Sequence, residues 1–319
     1  MAKNMYQKRE ERKAKAQEDN TITKEVQSKV INWYPGHMAK TKKQIIEDLK
    51  LIDIVVEVLD ARVPNASKNP DVEEYIKGKK KIVVLNKADL ADENVTKSWV
   101  EYYKKLGVKA IPMEANSGKG VNNVISTIKE EYKDIEEKYI KKGRIGRSTR
   151  VMVLGIPNVG KSTFINGLAK KNLAKVANKP GVTKQKQWIK IDQNIELMDT
   201  PGMLWPRMND NVATMHLAFV NTIGSAAVDK EDLSFYLTKY LLENYRTIVA
   251  ERYTLEIPEK ESFESEEILQ IMDEIAKKRG AILPGAKVNM QKLADIILSD
   301  FQSGKLGRIT IEQPRKINI

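Results

Sequence analysis

The sequence predicts an α/β domain on an open, mostly parallel sheet with helices on both faces, followed by a small all-α domain. Short β-branched runs alternate with helical patterns, which signals a parallel sheet. A Gly-x-x-x-x-Gly-Lys-Ser phosphate loop (P-loop), Gly155-Ile156-Pro157-Asn158-Val159-Gly160-Lys161-Ser162, stands between one such run and a helix. A base-reading motif, Asn86-Lys87-Ala88-Asp89, stands upstream of that loop, whereas the usual order is the reverse. Both motifs serve one nucleotide, so the α/β domain is expected to be circularly permuted.

Residues 1–30 are polar and charge-mixed without a sustained apolar stripe, and read as a basic mobile arm or a frayed helix. Ile45, Ile46, Leu49 and Ile52 then recur at helical spacing, and the run 54–59 has the composition of a buried strand. Further strands are expected over 81–85, 108–113 and 151–154. Residues 187–191 and 195–198, parted by Asp192-Gln193-Asn194, read as a hairpin that feeds Asp199. Beyond Pro206 the strand signals stop. Leu233, Leu237 and Leu241, then Ile268, Met272 and Ile275, then Leu293, Ile297 and Phe301 mark three amphipathic helices, with another near 212–226. The expected boundaries are 31–208 for the α/β domain and 209–319 for the helical one.

Composition narrows the chemistry. The 319 residues are 41% apolar and 31% charged, enough for two cores on the polar side of average. No run approaches the length of a membrane span, and Glu10, Glu11, Glu18, Asp19 and Glu25 fit neither a signal nor a transit peptide. A cytoplasmic monomer with no membrane partner is expected. With no cysteine and two histidines, disulfides, thiol chemistry and Cys-type zinc sites are excluded, while magnesium on oxygen ligands stays open. The net charge of +12 favours a polyanionic partner such as nucleic acid, although a lysine-rich proteome would give the same balance.

In the phosphate loop, glycines let the backbone approach, successive N–H groups (Asn158, Val159, Gly160, Thr163) face phosphate oxygens, and the helix N-terminus adds its dipole. Lys161 would contact the β- and γ-phosphates and Ser162 would bind magnesium. Asp199-Thr200-Pro201-Gly202 supplies a carboxylate that holds magnesium through water and a Gly202 N–H that senses the γ-phosphate. Thr183 could add its hydroxyl to magnesium, or be an ordinary loop residue. The Asp89 carboxylate can accept from N1–H and the exocyclic amine of guanine, donors that adenine lacks, so it specifies GTP over ATP. Lys87 would lie along the ring and Asn86 would tie the loop down. The Ala115 N–H would meet guanine O6, although Glu114 and Asn116 depart from the usual Ser-Ala-Lys.

The motif order, Trp33-Tyr34-Pro35-Gly36-His37-Met38-Ala39-Lys40 near the start and Asp60-Ala61-Arg62-Val63-Pro64 after the first strand together resemble the circularly permuted GTPases of the ribosome biogenesis GTPase A (YlqF) family. The resemblance covers roughly residues 31–310; the arm before it is longer than the family leads one to expect. It implies GTP hydrolysis coupled to late assembly of the large (50S) ribosomal subunit and stimulated by that subunit. It further implies a helical C-terminal domain that binds ribosomal RNA, with ribosomal proteins nearby. Two other readings stay open: a GTP-selected RNA-binding placeholder whose hydrolysis is incidental, and a small-subunit assembly GTPase, which the lack of a Cys-rich zinc module disfavours.

Many regulatory GTPases place a water-orienting glutamine where this chain has Met203, whose thioether cannot polarise water. A low intrinsic rate is expected. The resemblance points to His37, just before the first helix, as the missing group, since an imidazole can orient a water near neutral pH. Alternatively Trp33, Tyr34 and His37 stack on RNA beside Lys40, Lys42 and Lys43. Asn158 is similar to the asparagine of potassium-activated GTPases, whose side-chain oxygen helps hold the cation; it could also serve an unusual turn. Lys138, Lys141, Lys142, Arg144, Arg147 and Arg150 form an acid-free run, and a second runs from Lys170 to Lys190; both suit phosphate-backbone contact. Lys277, Lys278, Arg279, Lys287, Lys292, Lys305 and Arg308 suit an RNA-docking face on the helical domain.

Overall fold

The computed structural model describes residues 36–141, 143, 146–170, 187–192, 194–200, 211–222 and 229–315. The arm 1–30, Trp33, Tyr34, Pro35, Lys142, Arg144, Thr183, Gly202 and Met203 lie outside the described residues, as does most of the second basic run. Contacts divide the chain into two units, one holding residues 33–207 and 310–319 and the other 208–309.

In the first unit α1 (Gly36–Leu49) leads into β1 (Ile54–Asp60); α2 (Val72–Tyr75), β2 (Lys80–Asn86), α3 (Glu93–Lys105) and β3 (Lys109–Met113) follow. Then come α4 (Val121–Ile140), β4 (Thr149–Leu154), α5 (Lys161–Lys170), β5 (Gln187–Asp192) and β6 (Ile195–Asp199). Six strands make one sheet in the order β3-β2-β1-β4-β6-β5, parallel except for the β5–β6 hairpin. The first strand made is therefore central, and β1 is buried at every position, as its β-branched run predicts.

Register sorts the side chains onto two faces. Val55, Glu57 and Leu59 align with Lys81, Val83 and Leu85 on β2, and Val55 with Met152 on β4. On that face Ile45 and Leu49 of α1 pack with Val55 and Met152, and Trp99 and Tyr103 of α3 pack with Leu59 and Leu85. Ile46, expected in the α1 stripe, is exposed, because one residue's step turns it about 100° from Ile45. Glu57, a charge inside the apolar run, is buried against the Lys81 ammonium at 2.6 Å. Helices α4 and α5 contact the strands with a separate set of buried residues, among them Val124, Ile128 and Phe164.

The second unit contains α6 (Asn211–Phe219), α7 (Lys230–Asn244), α8 (Arg246–Tyr253), α9 (Ser265–Lys278) and α10 (Met290–Gln302). Leu237, Leu241, Met272, Ile275, Leu293, Ile297 and Phe301 form its core, as their spacing predicts. Asp229 caps α7 through the Glu231 and Asp232 N–H groups, and a capping box of Glu264 with Glu267 starts α9. Three differences from expectation have local causes. Helix α6 stops before 226 because Asn221 adopts φ +59°, a left-handed stop. Helix α8 buries only Val249 and Tyr253, too sparse a stripe to read from sequence. A two-stranded hairpin of β7 (Ile282–Leu283) and β8 (Lys287–Val288) is too short to show periodicity.

Residues 310–315 depart from the 209–319 boundary. Instead of joining the helical unit, they belong to the unit that carries the sheet, because Thr310, Ile311 and Glu312 are buried there by hydrogen bonds to its loops. Among the described residues, no helix is long and apolar enough to cross a membrane.

Candidate active site

Strands β1, β2, β3, β4 and β6 all run parallel, so the loops that follow them open on one edge of the sheet. The order reverses between β1 and β4, and in open α/β sheets that reversal opens a crevice at the carboxyl edge. The phosphate loop leaves β4 there and enters α5 at Lys161. Ile156 and Val159 are fully buried and seat the loop on the core. The first turn of α5 contains no acidic residue, so its positive dipole end is unopposed.

Asn86, at the end of β2, joins three loops. Its buried carboxamide donates from Nδ2 to the Val159 carbonyl at 2.8 Å, and Oδ1 accepts the Ala115 N–H at 3.1 Å. The Ala115 N–H expected at guanine O6 is thus directed to Asn86, because a buried amide oxygen needs a donor. Gly160 follows Val159 at φ +88°, and a Cβ there would stand 2.4 Å from Asn86 Nδ2. Only glycine allows both the backbone angle and the contact.

Lys87 also has a left-handed backbone, at φ +59°. Its ammonium lies 2.9 Å from Asp60 Oδ2 and donates to the Asn158 carbonyl at 2.7 Å. Asn158 has φ +61°, the unusual turn conformation considered for it. Asp60 closes β1 and is fully buried; Arg62 Nε and Nη2 donate to its two oxygens at 2.9 and 2.8 Å. Burial alone would raise this carboxyl's pKa, but the charges of Arg62 and then Lys87 hold it well below the usual carboxylate range. Asp60 and Arg62 carry the family resemblance in the sequence, and the structure adds that they form a buried ion pair beside Lys87. Their signal was opposite charges two residues apart at the end of a buried strand.

Lys161 is buried and its ammonium donates to the Thr200 carbonyl; the Thr200 hydroxyl donates to the Val153 carbonyl at 2.6 Å. The phosphate-loop helix is thereby tied to the segment after β6, where Asp199 ends the strand in register with Val153. Asp89, Asn116, Asn158, Ser162 and Thr163 are exposed. Glu114 explains its departure from the usual serine: it accepts from Lys119 Nζ at 2.8 Å and from the Ser117 hydroxyl at 3.0 Å, closing the turn that carries Asn116. His37, expected just before the first helix, is instead the second residue of α1. Within the first basic run, Arg147 lies over the Tyr139 ring and 3.4 Å from Asp53, and Arg150 over the exposed Trp188 ring. Part of that run is therefore committed to the protein's own packing.

A phosphate loop, a base-reading motif upstream of it and a sheet wound in this order define a circularly permuted P-loop GTPase. Residues 150–280 match the family described as 50S ribosome-binding GTPase. The match begins at β4 and leaves 86–89 outside, as the permuted order requires. A Bacillus cereus protein named Ribosome biogenesis GTPase A is 42% identical over 288 residues, covering 90% of this chain and 95% of that one. A Thermotoga maritima protein of the same name is 34% identical over 288 residues, covering 90% and 96%. The solved structure of GNP-bound YlqF from T. maritima is 28% identical with a TM-score of 0.58, covering 87% of this chain and 100% of that one. The chain belongs to the ribosome biogenesis GTPase A family, and it is a GTPase.

Proposed function

We propose that the protein times a late step in assembly of the large ribosomal subunit: GTP selects its docked form, and hydrolysis stimulated by the particle releases it. The observation that carries this reading is the match of residues 150–280 to a family described as 50S ribosome-binding GTPase, since that stretch holds the phosphate loop, Asp199 and most of the helical unit.

In this reading Asp89 accepts from guanine N1–H and its amine, Lys87 lies along the ring, and Asn116 completes the base pocket. Backbone N–H groups of Asn158, Val159, Gly160 and Thr163 hold the phosphates, with Lys161 exchanging the Thr200 carbonyl for phosphate oxygens. Gly202 senses the γ-phosphate. Ser162, Thr183 and Asp199 offer hard oxygen donors that suit magnesium, and Ser162 stands exposed on a helix turn without acidic side chains. Bound there, magnesium would offset the charge of the β- and γ-phosphates. The side-chain oxygen of Asn158 would hold potassium, which supplies charge in place of an arginine.

His37 orients the attacking water. A 14-residue helix spans about 21 Å, on the order of the length of β1, so α1's first turn can reach back along the strand towards its carboxyl edge. Docking rests on phosphate contacts from Lys138, Lys141, Lys277, Lys278 and Lys292, and should weaken steeply with added salt.

Hydrolysis measured with and without purified large subunits, in potassium and in sodium, tests the reading. Large subunits and potassium should each raise the rate, and His37→Ala should lower the stimulated rate about 100-fold while leaving ribosome affinity intact. Stimulation that survives His37→Ala removes His37 from catalysis. Binding to small-subunit rather than large-subunit precursors overturns the assembly step.

A further inference from the structure

Residues 310–312 lie more than two hundred positions beyond the base-reading motif, yet they bond to the loops on either side of it. The Ile311 N–H donates to the Arg62 carbonyl at 2.8 Å. Glu312, 8% exposed, accepts through Oε2 from the Asn65 N–H at 2.6 Å and the Ala66 N–H at 3.1 Å. These grip the loop after β1. The Thr310 hydroxyl accepts the Asp92 N–H at 2.9 Å, three residues past Asp89, and Trp99 Nε1 donates to the Glu312 carbonyl at 2.9 Å. These grip the loop and helix after β2.

The loop after β1 borders the site directly. Its Ala61 N–H donates to the Asn86 carbonyl at 2.8 Å, and its Arg62 guanidinium holds Asp60, which holds Lys87. A buried carboxylate that accepts two backbone N–H groups fixes such a loop strongly. We propose that residues 310–312 form a positioning strap for the base site, with Glu312 as its anchor, acting through Arg62 and Asp60 on Lys87. The strap rests on the reading of 86–89 as the base-reading motif.

Affinity of the full chain for GDP bearing a fluorescent N-methylanthraniloyl group tests it. Glu312→Gln should raise Kd about tenfold through faster release, and raise KM for GTP with kcat moved less than about twofold. In a Lys87→Met background the same substitution should change Kd less than about twofold, because the path through Lys87 is already gone. An unchanged Kd in Glu312→Gln overturns the strap. So does an effect that persists undiminished in the Lys87→Met background, whatever the melting temperature does, since Glu312 would then be a packing residue only. Asp89→Asn separates the underlying reading: it should lose GDP and gain xanthosine diphosphate. If it keeps GDP and refuses xanthosine diphosphate, the base reading falls, whereas a normal Asp89→Asn result with an inert Glu312→Gln sinks the strap alone.

Discussion

Asp60→Asn should destabilise the sheet-bearing unit by about 3–5 kcal/mol, the usual cost of removing one partner from a buried ion pair. The amide removes the negative charge that Arg62, 2% exposed, and Lys87 both face. Urea unfolding at neutral pH measures the loss, and a difference below about 1 kcal/mol would show that the cluster tolerates the neutral amide. Replacing both groups, as Asp60→Asn with Arg62→Met, should recover part of the loss, because it is the stranded charge that costs most. Acid gives an independent check. The Asp60 carboxyl is held below its ordinary range, so its contribution is complete above about pH 4 and is lost as the pH falls through the depressed native value. The gap between the native chain and Asp60→Asn should therefore stay open from neutral pH to about pH 4 and narrow only in stronger acid.

Gly160→Ala should weaken GDP and GTP binding by roughly one and a half to three and a half orders of magnitude. A left-handed alanine is strained by about 1–2 kcal/mol, and the new methyl displaces the Asn86 amide from Val159, forfeiting a buried hydrogen bond of about 1–3 kcal/mol. Asn86 cannot step aside, because Ala115 holds its oxygen. The sum, about 2–5 kcal/mol, is the work needed to rebuild the loop around the phosphates. Calorimetric titration with GDP reads it directly; binding within about threefold of the native chain would mean that the loop tolerates the methyl without losing Asn86.

What was legible in the sequence follows from range. The run 54–59 could be read as a buried strand because β-branched composition is local, and the phosphate loop because its spacing is local. The motif order then implied the permuted sheet. Glu57 is the one charge in that run, and the partner that lets it be buried, Lys81, lies on another strand. Asp60 and Arg62 stand in the sequence only as part of a motif, because the third member of their charge cluster, Lys87, comes from the next loop and is brought to them by the fold. Residues 310–312 carry no periodic signal, and the charge of Glu312 gives no hint in the sequence of the distant backbone N–H groups it serves. Their meaning lies in the Asn65, Ala66, Asp92 and Trp99 hydrogen bonds, which only tertiary structure brings together. His37 stands inside α1 and not before it because the helix starts ahead of the apolar stripe from Ile45, and helix starts are the least certain boundaries to read from sequence.

During synthesis, β1 is the first strand to emerge and waits for β2 and then β4 to cover its two edges, while residues 310–312 emerge after every other described element. The loops beside Asn86 and Asp92 are held by a part of the chain that does not yet exist when the phosphate loop has already left the ribosome. A growing chain thus carries all the nucleotide motifs before it carries their last fastening. Full hydrogen bonding of the base site coincides with completion of the helical unit that precedes residue 310, so a chain cut within that unit leaves the base site unfastened as well.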